Sequence, residues 1–448
     1  MNQLHKIYDI YLKSSQKICI DSRSSDIKNA VFFAIQGDNF NGNHFIEDAL
    51  SKGAKYAISD DIEFTKRNKN KSIVLVKNTL HTLQNLAQHH RESLNIPIIA
   101  ITGSNGKTTT KNILTQILSS TYKTYSTTGN LNNHIGVPLT ILSIKKEHEI
   151  AVIEMGANHI GEIEELCRMA QPNYGIITNI GDAHLEGFGS IENIKIAKNE
   201  LFEYLKQNNG TIIYNSEDSI LKKLINNYTK IKKYKIPAWH PTTVSVNTCF
   251  YQTTPFIVIK NIISNGVSIE TKLIGKHNIN NIIAAIEIAR IFKISNKNIQ
   301  TSLHQFELKN NRCEFVKTKK NIILLDAYNA NPTSMLSGIL NFIDWSIYNK
   351  DKTMLFILGD MLELGENELQ YHQDIIDFLT KKKIKPSLIL VGNIFNKTII
   401  AENDFTYYEK AQSNLEASQM LKKHNFSNMS IFIKGSRKLE LEKLIDYL

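Results

Sequence analysis

One short stretch near residue 100 constrains the fold more than any other part of the chain. The apolar run Ile98–Ile101 leads into Gly-Ser-Asn-Gly-Lys-Thr-Thr at 103–109, which predicts a buried strand, a glycine-rich turn and a helix. In such a turn, backbone amides and the helix N-terminus attract an anion, the lysine reaches the β- and γ-phosphates, and the next threonine can bind Mg²⁺. The stretch predicts a nucleoside triphosphate site formed by Gly103, Ser104, Asn105, Gly106, Lys107, Thr108 and Thr109.

This loop is a shortened variant of the P-loop. The usual motif has four residues between its two glycines, and counting back from Gly106 puts Ile101 at the first glycine position. A glycine-containing connection without a ligand is the alternative. Gly-Lys-Thr-Thr directly after an apolar strand favours the phosphate site.

The length of the chain predicts several domains. A chain of 448 residues is too long for one ordinary core, so two or three domains of roughly 100 to 200 residues are expected.

The longest apolar runs, 96–101 and 431–433, are far shorter than the roughly 20 residues that cross a bilayer. The N-terminal residues lack the apolar core of a signal peptide. We expect a cytoplasmic protein without a membrane span, and we further expect a monomer.

Cysteine usage and charge narrow the function. The cysteines are widely scattered, without a Cys-x-x-Cys pair, so neither a zinc site nor a disulfide framework is expected. A net charge of +10 would suit a nucleic-acid-binding protein, but the lysines are dispersed, and the run at 381–383 reads as a solvated helix end. A small anionic substrate explains the positive field better, so no nucleic-acid partner is expected.

Alternating strand and helix patterns predict an α/β protein of three domains. Residues 1–82 form a small α/β domain. Residues 83–310 form a P-loop-type ATPase with a mostly parallel sheet, which a helix from 79 to about 95 links to the first domain. Residues 311–448 contain apolar strands that alternate with helices, and they predict a doubly wound domain.

Three ionisable residues of the central domain are candidate site residues beside the glycine-rich loop at 103–109. Glu154 ends the strand 149–156, and ligands of open α/β sheets bind outside the carboxyl ends of the strands, which brings Glu154 near the phosphates and Mg²⁺. His184 follows the strand 175–181, although a lone histidine there is more often a satisfied polar residue. Lys198 lies on the next helix, and the sequence alone predicts that its charged side chain is exposed on the surface.

Amide side chains form a second group of candidates. The polar loop 125–133 carries Asn130, Asn132 and Asn133, which either turn the chain or contact a polar ligand. Asn278 and Asn281 lie three residues apart on one helical face and could meet the edge of a base. The alternative is an asparagine N-cap.

Arginine is rare in this chain, which makes its positions informative. Of seven arginines, three lie in candidate site motifs where a planar, bidentate donor would be needed, namely Arg23, Arg312 and Arg437. Ser22 and Arg23 belong to an Asp-Ser-Arg turn that could hold a ligand, but such residues are more often ordinary loop.

Polar clusters follow three strands of the third domain. Asp326 opens Asp-Ala-Tyr-Asn-Ala-Asn-Pro, which includes Asn329 and Asn331. The other two clusters are Gly-Asp-Met-Leu-Glu-Leu-Gly at 359–365 and Lys-Gly-Ser-Arg at 434–437. Because carboxyl ends of parallel strands meet at one edge of a sheet, the clusters predict a second site there.

Together these motifs resemble the Mur ligases of peptidoglycan synthesis. The loop at 103–109 is typical of the wider ligase group, whereas the stretches 128–133, 328–332, 359–365 and 434–437 point to one member in particular. The resemblance covers almost the whole chain. It implies a first domain that binds the UDP substrate, a central ATPase, and a dinucleotide-fold-like third domain that binds a dipeptide and part of ATP.

The resemblance also implies roles for single residues. Lys198 matches a lysine that is carbamylated in the family, and a carbamate with Glu154 and His184 could hold two Mg²⁺ ions. Thr108 would be a further metal ligand, and Lys107 would act in catalysis beside Glu154, His184 and Lys198. For ATP, the resemblance implies adenine contacts from Asn278 and Asn281, phosphate or ribose contacts from Arg312, and ribose contacts from Asp326.

Substrate contacts are implied in the same way. Those with the UDP-N-acetylmuramoyl-tripeptide would come from Asn130, Asn132, Asn133 and, near uridine, Ser22 and Arg23. Those with the incoming D-alanyl-D-alanine or the acyl phosphate would come from Asn329, Asn331 and Arg437.

The implied reaction is ATP-dependent amide formation. A peptide carboxylate attacks the γ-phosphate to form an acyl phosphate, and the amine of the dipeptide then displaces phosphate. The alternatives are a sister ligase that adds the third amino acid and a folylpolyglutamate synthase, which usually lacks a domain ahead of its ATP loop. A P-loop ATPase stimulated by nucleic acid is the alternative from another class.

Three departures from the family pattern stand out. Asn29 replaces a usual glycine in the first domain, and Asn-Gly-Asn-His at 41–44 is a looser form of an Asp-Gly-His turn. Asn199 replaces the glycine that usually follows the modified lysine, and we expect it to constrain the helix slightly.

Overall fold

The computed structural model describes residues 3–37, 40–68, 70–181, 185–239, 250–253, 256–262, 267–309, 311–350, 353–382 and 384–448. These parts form a succession of α/β units, as the alternating sequence pattern predicts. None of their helices is both long and apolar enough to cross a bilayer.

The first unit is built on a parallel four-stranded sheet of order β1-β2-β5-β6, with a small antiparallel hairpin β3-β4 beside it. Its strands are β1 (Ile18–Cys19), β2 (Val31–Phe33), β3 (Gln36–Gly37), β4 (Phe40–Asn41), β5 (Tyr56–Ser59) and β6 (Ile73–Leu75). Its helices are α1 (Gln3–Lys13), α2 (Ile46–Ser51), α3 (Ile62–Arg67) and α4 (Thr79–Glu92).

Asn29 lies in the turn before β2 and has a φ of +62°. This left-handed conformation is easiest for glycine, and asparagine is among the residues that tolerate it best. The replacement of glycine at this position therefore keeps the turn, and the Asn29 amide donates to the Gly53 carbonyl at 2.8 Å.

The first unit shares a continuous apolar core with the central sheet. Ile7 and Tyr11 of α1 and Leu83 of α4 belong to the same buried cluster as Ile98 and Ile153 of the central strands. The buried Tyr11 hydroxyl donates to the Leu142 carbonyl at 2.5 Å. Helix α4 spans the predicted domain boundary at 82/83 and packs on both units, while the boundaries themselves stay a prediction.

The central unit contains a six-stranded sheet of order β12-β11-β10-β7-β9-β8, in which every pair is parallel. Its strands are β7 (Ile98–Thr102), β8 (Thr124–Ser126), β9 (Ile150–Glu154), β10 (Tyr174–Ile177), β11 (Thr211–Asn215) and β12 (Ile231–Tyr234). Its helices are α5 (Lys107–Leu118), α6 (Gly136–Leu142), α7 (Glu162–Ala170), α8 (Leu185–Phe188), α9 (Ile191–Gln207), α10 (Ser219–Ile225), α11 (His277–Ile291) and α12 (Asn296–Gln305).

Both faces of this sheet are buried, which explains the continuous apolar strands. Ile98 and Ala100 pack in one cluster with α4, α7 and α9, whereas Ile99 and Ile101 pack in another with α5 and α11. Because β7 lies between β9 and β10, the ends of these three strands meet at one edge. Helix α9 continues without interruption through Asn199, so the expected constraint leaves no break in the helix.

A small mixed sheet of order β13-β14-β15-β16 precedes α11. Its strands are β13 (Ala238–Trp239), β14 (Phe250–Gln252), β15 (Val258–Lys260) and β16 (Ser268–Glu270). Ile259 and Ile269 of this sheet pack in the same buried cluster as α5 and α11, so the small sheet covers part of that face.

The last unit has a six-stranded sheet of order β17-β18-β22-β19-β20-β21. Its strands are β17 (Glu314–Lys317), β18 (Ile322–Asp326), β19 (Met354–Gly359), β20 (Ser387–Val391), β21 (Tyr407–Ala411) and β22 (Ser430–Lys434), and its helices are α13 (Pro332–Tyr348), α14 (Glu368–Lys381) and α15 (Asn414–His424). Helices cover both faces, as expected of a doubly wound domain. The sheet is mixed, because β17 runs antiparallel to β18.

The hydroxyl of Tyr11 should stabilise the junction between the first and central units. Tyr11→Phe leaves the buried Leu142 carbonyl without its donor, so the free energy of unfolding should fall by about 1–2 kcal/mol. Urea unfolding followed by circular dichroism measures this change. Tyr348→Phe removes a hydroxyl from an exposed ring and should have little effect, and equal losses in both variants would contradict the assignment.

Candidate active site

A cavity of about 630 Å³ lies between the glycine-rich loop and the last unit. Side chains from both sides line it, so the structure brings most of the predicted residues together. The predicted site residues that line it are Ser104, Asn105, Gly106, Lys107, Thr108, Thr109, Asn132, Asn133, Glu154, Asn278, Asn281, Arg312, Asp326, Asn329 and Asn331.

Two glycines give the loop its shape. Gly103 has a φ of +140° and Gly106 a φ of +80°, both in the region that favours glycine. A Cβ on Gly103 would lie 2.1 Å from Thr178 Oγ1, and one on Gly106 would lie 2.4 Å from Asn281 Oδ1. Gly106 is also the N-cap of α5, so the loop amides meet a helix N-terminus at the cavity, which suits an anion.

Two polar residues directly after β10 hold the glycine-rich loop in place. Asn179 accepts from the Asn105 amide at 3.0 Å through Oδ1 and donates to the Asn105 carbonyl at 2.9 Å. Thr178 Oγ1 donates to the same carbonyl at 2.6 Å. Both residues belong to the strand predicted at 175–181, for which no site role was predicted, although their polarity directly after an apolar run was a usable signal.

Lys107 folds back over the loop. Its Nζ donates to the Gly103 carbonyl at 2.6 Å and to the Ser104 carbonyl at 3.2 Å. Burial lowers the pKa of Lys107, an effect that the Glu154 carboxylate opposes and Arg312 reinforces. A bound phosphate would offer this ammonium charged acceptors, which bind more strongly than the two carbonyls.

Glu154, at the end of β9, is 2% exposed. Its Oε1 accepts from the Thr108 hydroxyl at 3.0 Å and from Asn132 Nδ2 at 2.8 Å. The buried Oε2 has no hydrogen-bond partner in the described parts of the chain. A buried carboxylate with one oxygen bonded to a threonine hydroxyl and the other without a hydrogen bond fits a Mg²⁺ ligand set.

Lys111 is a buried residue that sequence analysis missed. It lies one turn after Lys107 on α5, its Nζ donates to the Thr127 carbonyl at 2.6 Å, and it lies 3.6 Å from Glu154 Oε2. Burial lowers its pKa, while Glu154 opposes that effect. Only the spacing of four residues from Lys107 could have drawn attention to it.

Lys198 is buried instead of lying on the surface, which contradicts the expectation from sequence alone. Its side chain is 2% exposed, its Nζ donates to the Ala157 carbonyl at 3.3 Å, and it lies 5.1 Å from the centre of the Phe188 ring. Burial, and then the nearby Lys107 ammonium, lower the pKa of Lys198 to about 7. A large fraction of this amine is therefore neutral at physiological pH.

His184 lies outside the described residues, so its predicted metal role is not described by the structure. Among the described residues, no group of three or more His, Cys, Asp or Glu side chains forms a metal site. The candidate ligands in the described part are the Thr108 hydroxyl, the Glu154 carboxylate and Lys198.

The two predicted base-reading asparagines are buried at the edge of the cavity. Asn281 Nδ2 donates to Asn278 Oδ1 at 2.9 Å, and its Oδ1 accepts from Thr110 Oγ1 at 3.1 Å. Asn278 Nδ2 donates to the Ile274 carbonyl at 2.9 Å. The asparagine N-cap alternative does not hold for α11, because its N-cap is Lys276.

The last unit brings a charged pair and a cross-link to the cavity. Lys434 Nζ donates to Asp326 Oδ2 at 2.5 Å and to the Asn329 carbonyl at 3.1 Å. Asn331 caps α13 and donates through Nδ2 to Asn105 Oδ1 at 2.9 Å. This bond joins the last unit directly to the glycine-rich loop.

Arg312 lines the cavity, whereas Asp360, in the polar stretch 359–365, is buried inside the last unit. The Arg312 guanidinium lies 3.7 Å from the centre of the Tyr328 ring, a cation–π arrangement at the cavity wall. Asp360 instead is buried and accepts from the amides of Ile394 and Phe395 at 2.9 and 2.8 Å. The Asp360 carboxylate therefore stabilises the backbone inside the last unit.

Four predicted substrate residues lie outside the cavity lining. Arg23 is exposed and makes a bidentate bond to Asp21, both contacts at 2.9 Å. Ser22 is buried beside it, Asn130 is exposed in its loop, and Arg437 donates to Glu442 at 2.8 Å.

The depressed pKa of Lys198 predicts a pH dependence of stability. The folded protein disfavours the charged amine, whereas the unfolded chain keeps its proton up to about pH 10, so the free energy of unfolding should rise from pH 7 towards pH 10. In carbonate-free buffer, Lys198→Met should flatten this rise, as measured by denaturant unfolding at each pH. The exposed Lys222→Met should keep the wild-type slope; an unchanged slope in Lys198→Met would contradict the pKa assignment.

Family models match the chain in three consecutive parts. These are the Mur ligase family, catalytic domain, at residues 15–91, the Mur ligase middle domain at 101–289, and the Mur ligase, glutamate ligase domain at 311–437. Their order along the chain agrees with the resemblance inferred from the sequence motifs.

Named relatives extend over nearly the full length. The chain is 34% identical to UDP-N-acetylmuramoyl-tripeptide--D-alanyl-D-alanine ligase of Bacillus subtilis (strain 168), covering 96% of this chain and 92% of that protein. It is 33% identical to the protein of the same name from Buchnera aphidicola subsp. Baizongia pistaciae (strain Bp), covering 97% and 92%. The crystal structure of MurF from Acinetobacter baumannii is similar with a TM-score of 0.79 and 28% identity, covering 96% and 92%. These likenesses confirm the predicted three-domain α/β architecture, and the chain belongs to the Mur ligase family.

Proposed function

We propose that this protein is an ATP-dependent amide ligase that joins D-alanyl-D-alanine to the peptide carboxylate of UDP-N-acetylmuramoyl-tripeptide. The observation that carries the proposal is the single cavity where the phosphate loop, the Glu154 carboxylate and the polar strand ends of the last unit meet. The names of the relatives at 33–34% identity supply the two substrates.

The loop residues would bind the triphosphate of ATP. The amides of 103–109 and the N-terminus of α5 would hold its phosphates, and Lys107 would leave the Gly103 and Ser104 carbonyls to meet the γ-phosphate. The peptide carboxylate attacks the γ-phosphorus, the bond to the β-phosphate oxygen breaks, and ADP leaves. Lys107 would stabilise the charge that develops on the transferred group.

The acyl phosphate then reacts with the amine of the dipeptide. The amine attacks the acyl carbon, phosphate leaves and the amine loses a proton, which gives the amide. The reacting groups come from different units, so the units have to close around them. The bond between Asn331 and Asn105 supports such an approach of the last unit to the loop.

Two Mg²⁺ ions are part of this proposal. They would be held by Thr108, Glu154, His184 and carbamylated Lys198. The Thr108 hydroxyl beside Glu154 Oε1, together with an Oε2 atom that accepts no hydrogen bond among the described residues, supports this ligand set. Bound Mg²⁺ would neutralise phosphate charge during transfer.

The surroundings of the buried Lys198 amine support the proposed carbamylation. A neutral amine adds to CO₂ and releases a proton, and the resulting carbamate carries a negative charge that the nearby Lys107 ammonium attracts. The pKa of about 7 and the neighbouring Lys107 ammonium both favour this product. The modification would convert a poor metal neighbour into an oxygen ligand.

The remaining site assignments belong to the same proposal. Asn278 and Asn281 would contact adenine, with Arg312 and Asp326 nearer the ribose and phosphates. Asn132 and Asn133 would face the UDP substrate from the cavity wall. Asn329 and Asn331 would face the dipeptide. Asn130, Ser22, Arg23 and Arg437 lie outside the lining and would contact parts of the substrates that extend beyond it.

We also propose that the enzyme acts as a cytoplasmic monomer of three domains, 1–82, 83–310 and 311–448. In this proposal, its substrates are peptidoglycan precursors in the cytoplasm, where ATP is available. No nucleic-acid partner is proposed, because the polar groups of the cavity suit a nucleotide and a peptide.

An ADP-release assay tests the reaction and its alternatives. Release should require both UDP-N-acetylmuramoyl-tripeptide and D-alanyl-D-alanine. Turnover of UDP-N-acetylmuramoyl-dipeptide with a single amino acid would indicate the sister ligase. Turnover with a folate and glutamate would indicate a folylpolyglutamate synthase. Stimulation of ADP release by DNA or RNA would indicate a nucleic-acid motor. Any of these three results, without turnover of the named pair, would overturn the proposal.

Lys107→Ala should abolish most of this turnover. Removing the ammonium that meets the γ-phosphate should lower kcat by at least about 100-fold, measured by the same ADP release. Lys123→Ala changes an exposed lysine and should leave kcat unchanged. Amide formation by Lys107→Ala at a near-normal rate would contradict the role given to the loop.

Carbamylation predicts a direct spectroscopic signal. Protein equilibrated with ¹³C-bicarbonate should show a carbamate carbon resonance by NMR, and Lys198→Met should lack it. Lys222→Met should retain it, since Lys222 lies exposed on α10. A wild-type spectrum without a carbamate resonance would refute the modification while leaving the ligase reaction open to the assay above.

A further inference from the structure

Lys111 is a buried lysine that the mechanism above does not use. Its side chain is 3% exposed, although burying an ammonium is costly unless it is paired. It has two partners, the Thr127 carbonyl at 2.6 Å and Glu154 Oε2 at 3.6 Å. The second partner belongs to the carboxylate proposed above as a metal ligand.

The two oxygens of Glu154 have different surroundings. Oε1 accepts hydrogen bonds from Thr108 and Asn132. Oε2 has no hydrogen bond among the described residues and faces the Lys111 ammonium. A cation of the protein itself therefore already stands beside the oxygen that remains available to a metal ion.

Lys111 also connects Glu154 to the loop that carries Asn132. Thr127 accepts from Lys111 through its carbonyl, and its Oγ1 accepts from the Glu154 amide at 3.0 Å. Helix α5, the end of β9 and the loop after β8 thus meet at one charged pair. The position of the ammonium is fixed by these contacts.

We infer that Lys111 is a positioning residue that neutralises Glu154 in the nucleotide-free enzyme and thereby makes divalent-cation binding depend on nucleotide. A divalent ion at Oε2 would be repelled by the adjacent ammonium. The negative charge of a bound triphosphate offsets this repulsion, so metal and nucleotide bind together. The inference rests on the magnesium site proposed above and does not depend on which peptide or amine reacts.

The test measures Mn²⁺ binding to the full-length, nucleotide-free protein by electron paramagnetic resonance. Lys111→Met removes the repelling charge and should tighten Mn²⁺ binding roughly tenfold. A non-hydrolysable ATP analogue should narrow the difference from wild type. Damage to the packing would instead weaken Mn²⁺ binding, so the direction of the change separates the two explanations.

Two further variants serve as controls. Lys111→Gln keeps a donor for Thr127 but lacks the charge, so it should tighten Mn²⁺ binding as Lys111→Met does, and it carries the test if the methionine variant does not fold. Lys123→Met makes the same charge change at an exposed site and should leave the affinity unchanged. Unchanged or weaker Mn²⁺ binding in the folded Lys111 variants would overturn the inference.

Glu154→Gln separates this inference from the proposed metal site. It should weaken Mn²⁺ binding if Glu154 is a ligand. Wild-type Mn²⁺ affinity in Glu154→Gln would refute the metal site itself and the inference with it. Weaker binding in Glu154→Gln, combined with unchanged binding in both Lys111 variants, would refute the role of Lys111 alone.

Discussion

The buried carboxylate of Glu154 is the constraint on which the rest of the site depends. A charge that is 2% exposed has to be compensated locally, because an unpaired carboxylate in the interior is costly. Its three partners come from two separate segments: Thr108 and Lys111 from the first turns of α5, and Asn132 from the loop after β8. One carboxylate thus holds the phosphate side and the proposed substrate side of the cavity in a common geometry.

The parts of the site that could be predicted from the sequence have local signals. An apolar run, two glycines and a following Lys-Thr-Thr identify the loop at 103–109, and both glycines have the positive φ that such a turn needs. Glu154 could be placed beside it because it ends an apolar strand, and ligands of open α/β sheets bind outside the carboxyl ends of the strands. The observed order of β9, β7 and β10 agrees with this placement. The fold class was predictable for the same reason, since strands buried on both faces leave continuous apolar runs.

The residues that sequence analysis missed or misplaced depend on contacts between distant segments. Lys111 and Lys198 lie in ordinary helical patterns, and only the packing around them shows that they are buried. The bond between Asn105 and Asn331 joins positions 226 residues apart. Arg23 drew attention because arginine is rare, yet it pairs with its neighbour Asp21 in the structure. The rarity of a residue type carries no information about which partner its side chain finds.

The apolar contacts that run from α1 through α4 into the central sheet have a consequence for how this enzyme can be divided and how it can bend. A cut at residue 82 would sever α4 and leave water against side chains such as Leu83 and Leu86, so the leading segment and the ATPase behave as one mechanical piece. The side-chain bond from Asn331 to Asn105 then ties the last unit to this combined piece at the glycine-rich loop.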